Sequence, residues 1–363
     1  MVRYLKVCFT ACAGLVIAAC GPTAHDPVLT GQVASVIVTV PQQSSPADAI
    51  VTPISGAAAL GGAAPEPPTG EALPYGPTTN NLSINKHLNA VFVGNDPEDL
   101  AAYEDWLGQA ADGVQLHTGR SGWSDWLGSI GWLAERWRGV SREKFWSIPL
   151  MAEGAALKSV ASGTYDSYYQ DAARELVANS PGSRPIYIRT GWEFNGNWQP
   201  WAGAGEPETY KQAFRRFVSQ FRSVSSRFVF EWAPNIGDHG MNPEAGYPGD
   251  DVVDIIGLDF YYDRQWDPQD ATTAWAYMLN RKYGLVWHRD FAAAHSKPIA
   301  YAEWGIKNDN DAIYINKAAE WFLRQDLVYQ SYWNSNADYP GKLSDNQYPS
   351  VTRSYRAFIV GHE

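Results

Sequence analysis

Two glutamates stand out for the residues around them. Glu193 lies in Thr190-Gly-Trp-Glu-Phe-Asn-Gly-Asn-Trp198 and Glu303 in Ile299-Ala-Tyr-Ala-Glu-Trp-Gly305, each beside a tryptophan and close to a glycine. Two carboxyl groups can divide a hydrolysis between them. One gives a proton to a leaving oxygen while the other attacks the carbon which that oxygen leaves. Cleavage of a glycosidic bond uses such a pair. Arg189 sits four residues before Glu193. It either braces the two charges or is an ordinary buried arginine paired with an acidic neighbour.

For the pair to work, the chain must bring both groups to one place. Eight apolar runs rich in β-branched or aromatic residues recur through the C-terminal three quarters of the chain: 88–95, 113–119, 145–151, 185–194, 228–235, 252–262, 297–305 and 327–334. They read as strands. Helical periodicity lies between them, with Tyr165, Tyr169, Ala172, Ala173, Leu176 and Val177 on one face and Tyr210, Phe214, Phe217, Val218 and Phe221 on another. Eight strand-plus-helix units predict a closed (β/α)8 TIM barrel. An open doubly wound sheet would accept the same alternation, but no Gly-rich phosphate loop favours it. Between the fifth and sixth runs, residues 237–250 are rich in Gly and Pro and leave room for at most a short helix. Period-two alternation puts Arg189, Gly191 and Glu193 on one face of the fourth strand, and Ile299, Tyr301 and Glu303 on one face of the seventh. Both glutamates would then point inward at the C-terminal strand ends, the face where such barrels keep their reactive groups.

At these residues a family resemblance appears. An acid on the fourth strand and a nucleophile on the seventh is the layout of the retaining (β/α)8 glycoside hydrolases. Trp192 to Trp201 resembles the acid motif of glycoside hydrolase family 26, known chiefly for β-mannanases, and Ala302-Glu-Trp-Gly305 resembles its nucleophile motif. The resemblance spans 88–359 and implies double displacement, with Glu303 as nucleophile and Glu193 as acid and then base. One departure bears on the sugar rather than on the reaction. The family's histidine before the acid, which helps to shape the subsite of the cleaved sugar, is Trp192 here.

The remaining candidates follow from what a sugar needs, namely a flat apolar surface and placed polar groups. Trp198, Trp201, Trp304 and Trp333 lie on or just after strand ends, and Trp333 is the expected floor of the cleaved-sugar subsite. Asn195, Asn235 and His117 are candidate hydroxyl partners, although His117 could equally be a structural histidine. Tyr261, on the inward face of the sixth run with Asp259, is placed to orient Glu303. No cofactor and no metal is implied. Asn308-Asp-Asn-Asp311 has a fragment of calcium-loop character but lacks the spaced ligands and closing glutamate. It reads as a polar turn capping a helix that starts near Asp311.

The N-terminal segment sets a different expectation. Arg3 and Lys6 precede an apolar stretch from Val7 to Ala19, too short to span a bilayer, and Cys20 follows small residues. Residues 1–19 read as a lipoprotein signal peptide, with Cys20 acylated at the mature N-terminus. Residues 20–79, dominated by Pro, Ala, Gly, Ser, Thr and Val, read as a flexible tether, and 80–363 as the catalytic barrel. All three cysteines fall within the first twenty positions, so the mature barrel has no pair to oxidise. The formal charge of −11 argues against nucleic acid or an anionic lipid surface as partner. The expected protein is a monomer that cuts a polysaccharide internally, anchored by lipid in the bacterial cell envelope at the outer membrane. The competing expectations are a catalytically weak or inactive carbohydrate-binding barrel that handles an exopolysaccharide, and a barrel enzyme acting on non-sugar substrates, which would bring a cofactor or phosphate site.

Overall fold

The computed structural model describes Ile84 and residues 86–361. The expected signal peptide, Cys20 and the tether lie outside the described residues.

Among the described residues nine parallel segments close one barrel: β1 (Leu88–Phe92), β2 (Gly113–His117), β3 (Glu143–Ser147), β4 (Ile186–Arg189), β5 (Phe228–Trp232), β6 (Ile255–Gly257), β7 (Phe260–Tyr262), β8 (Ile299–Ile306) and β9 (Leu327–Trp333). Neighbours pair in chain order from β1 to β6, and β9 pairs with both β1 and β8. The sixth run is one barrel strand in two pieces. Its lower piece β6 meets β8 at Ile256↔Ile299, and its upper piece β7 meets the same strand at Phe260↔Trp304. Eight staves therefore form the barrel, as the eight runs predict. Most runs are shortened at their C-terminal ends and the sixth is broken, because their last residues leave the sheet for loops; the seventh instead extends to Ile306.

Helices wrap the outside: α1 (Pro97–Leu107), α2 (Trp123–Arg136), α3 (Leu157–Ala161), α4 (Asp166–Asn179), α5 (Pro207–Val224), α6 (Ala271–Asn280), α7 (Leu285–Ala294), α8 (Ala312–Phe322) and α9 (Pro349–Val360). Proline opens α1, α5 and α9, where its missing N–H costs nothing. Between β5 and β6 only a 3-10 turn, Pro243–Gly246, intervenes, as the Gly- and Pro-rich composition predicts. The predicted apolar faces are buried: Tyr169, Ala172, Ala173 and Leu176 on α4, and Tyr210, Phe214, Phe217, Val218 and Phe221 on α5.

The core has two layers separated by the sheet. Phe228, Phe230 and Trp232 of β5 face the helices, whereas Val229 faces the barrel axis with Ala90, Phe145, Tyr187, Ile255, Ala300, Ala302, Val328 and Tyr329. Phe145 stacks on Tyr329 with ring centroids 3.7 Å apart and fills the lower axis. Above this apolar plug the inward positions turn polar, and that change of composition makes the site.

The face assignments derived from alternation need two corrections. On β8, Ile299 and Tyr301 point outward into the helix layer, and Ala300 and Ala302 point inward. Glu303 nevertheless reaches the axis side, because the register with β9 shifts between Tyr301 and Trp304. A bulge of this kind places two successive side chains on one face and re-aims the second. On β4 the strand ends at Arg189, so Glu193 lies beyond it in a turn, with Gly191 at φ +59° and Glu193 itself at φ +53°.

Candidate active site

Glu303 is buried at 8% exposure, at a depth where a charge must be matched. Its Oε1 accepts from Arg189 Nη2, and its Oε2 accepts from Tyr261 Oη at 2.8 Å. Arg189 is itself buried, donates from Nη1 to Asp259 Oδ2 at 2.7 Å, and donates from Nε to Ser147 Oγ at 3.0 Å. Burial alone would raise the Glu303 pKa. The guanidinium and the two hydrogen bonds outweigh it, so the group lies below the usual carboxylate range. Asp259 shares the same guanidinium but goes the other way. Burial and the negative charge of Glu303 hold it well above its ordinary value, and its Oδ1 has no partner. His117 Nε2 stands 3.7 Å from Glu303 Oε1. Burial pushes the imidazole down to about 4, so near neutrality it meets Glu303 as a dipole and not as an ion.

Glu193 is held by neutral groups. Its backbone N–H donates to Ala233 O at 2.8 Å, tying the turn to the end of β5. Its Oε2 accepts from Trp198 Nε1 at 2.6 Å and more distantly from Gln199 Nε2 at 3.4 Å, and its Oε1 accepts from Asn235 Nδ2 at 2.6 Å. Burial raises its pKa, the charge of Glu303 adds to that, and the N–H donors and Arg189 offset only part. The site thus keeps one carboxyl charged and its neighbour inclined to hold a proton, the division of labour an acid and a nucleophile require. Gly191 is needed at the root of the turn. A side chain there would come within 2.9 Å of Tyr210 Oη, which already donates to the Gly191 carbonyl at 2.8 Å.

Both glutamates line one cavity of about 510 Å³ at the C-terminal mouth of the barrel. His117, Tyr261, Trp198 and Trp333 line it with them. Trp333 stacks on Phe92 with centroids 4.1 Å apart and donates to Ala337 O at 3.1 Å, so its ring is fixed before any ligand arrives. Other candidates lie behind this surface. Asn195 is fully buried and spends its amide on the backbone of Asn235, donating to the carbonyl at 2.8 Å and accepting from the N–H at 2.8 Å. Trp201 is buried and donates to the Trp192 carbonyl at 2.7 Å. Trp304 points outward from β8 among Phe260, Phe322 and Tyr332, with its indole N–H on Gln330. Trp192 itself lines the cavity, 4.9 Å from the Arg189 guanidinium and edge-on to His117.

The lining also holds residues not singled out as site candidates from the sequence, among them Arg120, Gln199, Asp338 and Tyr339. Arg120 bridges Glu153 at 3.1 Å and Gln199 Oε1 at 2.8 Å, which turns the Gln199 amino group toward Glu193. Tyr339 packs on Tyr261 with centroids 4.5 Å apart and donates to Tyr262 O at 2.7 Å. Asp338 precedes it at φ +60°. Only turn-forming residues around Pro340 and Gly341 mark this loop in the sequence. Among the described residues no group of three or more His, Cys, Asp or Glu is arranged to hold a metal ion. Asp311 does not cap α8 with its side chain; it is buried and pairs with Arg264.

Comparison with known proteins bears out the resemblance carried by the two motifs. The family model described as glycosyl hydrolase family 26 matches residues 156–324, a range that includes Glu193 and Glu303. Endoglucanase H of Acetivibrio thermocellus is 30% identical over 172 residues, covering 44% of this chain and 18% of that protein. Beta-1,3-xylanase TXYA of a Vibrio species is 29% identical over 131 residues, covering 34% of this chain and 27% of its own length. The chain thus spans less than a third of either of these relatives. Among solved structures, a family 26 β-mannanase from Bacteroides ovatus superimposes with a TM-score of 0.56 at 15% identity, over 76% of this chain and 88% of that one, and shares the fold.

Proposed function

We propose that this chain is a retaining glycoside hydrolase of the family 26 type, cutting internal O-glycosidic bonds of a β-linked polysaccharide. The observation that carries the proposal is the opposite treatment of two carboxyls in one cavity. Glu303 is kept ionised by Arg189 and Tyr261, and Glu193 is kept inclined to protonation by burial and by the charge of Glu303.

The steps follow from that asymmetry. The Glu303 carboxylate attacks the anomeric carbon; the bond to the leaving oxygen breaks, and Glu193 delivers its proton to that oxygen. Glu303 is then a neutral ester, and Glu193 is a carboxylate. Water enters, gives a proton to Glu193 and attacks the same carbon, releasing Glu303 and returning the starting configuration. Trp333 supplies the apolar floor for the sugar, and Trp198 lies on the side where the leaving group departs.

The sugar is a second question. The similar proteins carry the names of a glucanase, a xylanase and a mannanase, so likeness of fold spans several backbones. β-Mannan is the first candidate from the motifs. Trp192, in place of a histidine at the cavity wall, is the residue that would redirect specificity. Screening mannans, xylans and glucans for new reducing ends identifies the substrate. On that substrate, Glu303→Ala lowers kcat by about 10⁵-fold or more, and azide restores a product of inverted configuration. Retention of most activity by Glu303→Ala would overturn the assignment.

A further inference from the structure

His239 lies in the loop after β5, outside the residues that line the cavity. It is an exposed residue, yet its ring is fixed on three sides. Nε2 stands 2.9 Å from the Ile236 carbonyl oxygen and 2.9 Å from Asn235 Oδ1. The ring also meets the Trp198 indole edge-on, with centroids 5.0 Å apart and planes at 88°.

The proton positions follow from the partners. A carbonyl oxygen only accepts, so Nε2 carries a hydrogen. Burial lowers the imidazole pKa, which leaves the neutral ring with its single N–H at Nε2. An N–H in that place must face an acceptor. The oxygen of the Asn235 amide is therefore turned toward His239 and its NH2 toward Glu193, where Nδ2 lies 2.6 Å from Oε1. The opposite amide orientation would set two donors against each other. The same imidazole backs the indole whose N–H reaches Glu193 Oε2 at 2.6 Å.

We infer that His239 is a positioning residue for Glu193, holding Asn235 as a donor to one carboxyl oxygen and propping Trp198 as a donor to the other. The inference rests on Glu193 being the proton donor of the reaction proposed above. Its chemical point concerns the second half of the cycle. N–H donors stabilise the carboxylate that Glu193 becomes after giving up its proton, and so restrain the rise that burial imposes. Without the imidazole N–H, Asn235 is free to turn its oxygen toward the carboxyl and accept from the protonated form. The acid then holds its proton to a higher pH. The other charged groups stay in place: Glu303 and Arg189 face Glu193, and Asp238 and Arg281 face His239.

The test uses the whole chain labelled with ¹³C at glutamate carboxyls, with the Glu193 resonance assigned by its loss in Glu193→Gln. His239→Phe keeps a ring against Trp198 and removes the N–H. In it the Glu193 resonance titrates at higher pH than in the parent. His239→Gln, which restores a donor to Asn235, titrates close to the parent. On the polysaccharide identified by screening, the high-pH limb of kcat/KM moves up in His239→Phe and the low-pH limb stays. Should His239→Phe not fold, His239→Ala reads the same shift. An unmoved titration, or activity lost with both limbs fixed, overturns the inference. Full activity of Glu193→Ala would instead remove the reading of Glu193 on which it rests.

Discussion

The turn that carries Glu193 and the strand that carries Glu303 bring a carboxyl to one cavity by different means and hold it with different chemistry. Glu303 stays within a continuous strand and is re-aimed by a bulge between Tyr301 and Trp304. Its partners are a guanidinium and a phenol. Glu193 leaves the strand altogether, in a turn with left-handed residues at Gly191 and Glu193, and its partners are an indole and an amide. Ionic support suits a group that must attack as an anion. In the reaction proposed above, neutral donors suit a group that must carry a proton out and back, because they favour the carboxylate less strongly than a full cation does. Two identical side chains are thus made unlike by the elements that bear them.

Three experiments test this contrast. The largest effect is expected for Glu193→Ala, which lowers turnover by about 10²–10⁴-fold on substrates with poor leaving groups and far less when the leaving group needs no proton. Equal losses on both substrates would mean that the neutral side of the site does not do acid–base work. Next is Arg189→Met, which removes the cation from beneath Glu303 and Asp259. Two buried carboxyls then lack a counter-charge, so the fold loses about 3–5 kcal/mol in denaturant titration. The Glu303 pKa rises as well, moving the low-pH limb of kcat/KM upward; an unmoved limb would break the ionic half of the comparison. The smallest effect concerns Glu231, deeper in the barrel, whose pKa burial pushes from the ordinary 4.5 up to about 7. The folded protein keeps this proton to a higher pH than the unfolded chain does. Stability therefore falls as pH rises from about 4.5 to about 7. Glu231→Gln removes that slope and gains about 3 kcal/mol at pH 8 but little at pH 4, with the Tyr329 hydrogen bond retained. A slope unchanged in the variant would assign the pH dependence to Asp259 instead.

Much of the fold was legible because strand runs and helix faces repeat. Eight runs predicted eight staves, and even the missing helix after β5 was visible in its Gly and Pro content. The two glutamates were legible as residues in motifs, but the strand rule used to aim them was not the reason for their direction. Alternation describes regular backbone, and both groups depend on irregular backbone; sequence rules tend to fail in this way where function overrides regularity. Asn195, Trp201 and Trp304 carry motif character yet are buried, since a strand-end position does not say which side of the sheet a ring occupies. Asp338, Tyr339 and His239 come from loops whose sequence signals only turns. Their places depend on how distant strands end beside one another, and a single sequence does not encode that locally.

The backbone at Glu193 has an evolutionary meaning. A side chain with a Cβ held at φ +53° costs about 1 kcal/mol or more, and burial of its carboxyl adds to that. Asparagine or glycine would sit there with less strain and nothing to protonate. Selection for a sturdier fold alone would therefore favour replacing the glutamate proposed above as proton donor, and the step toward a merely sugar-holding barrel is thermodynamically downhill. Under the reaction proposed above, the glutamate in this turn trades stability for activity at one residue.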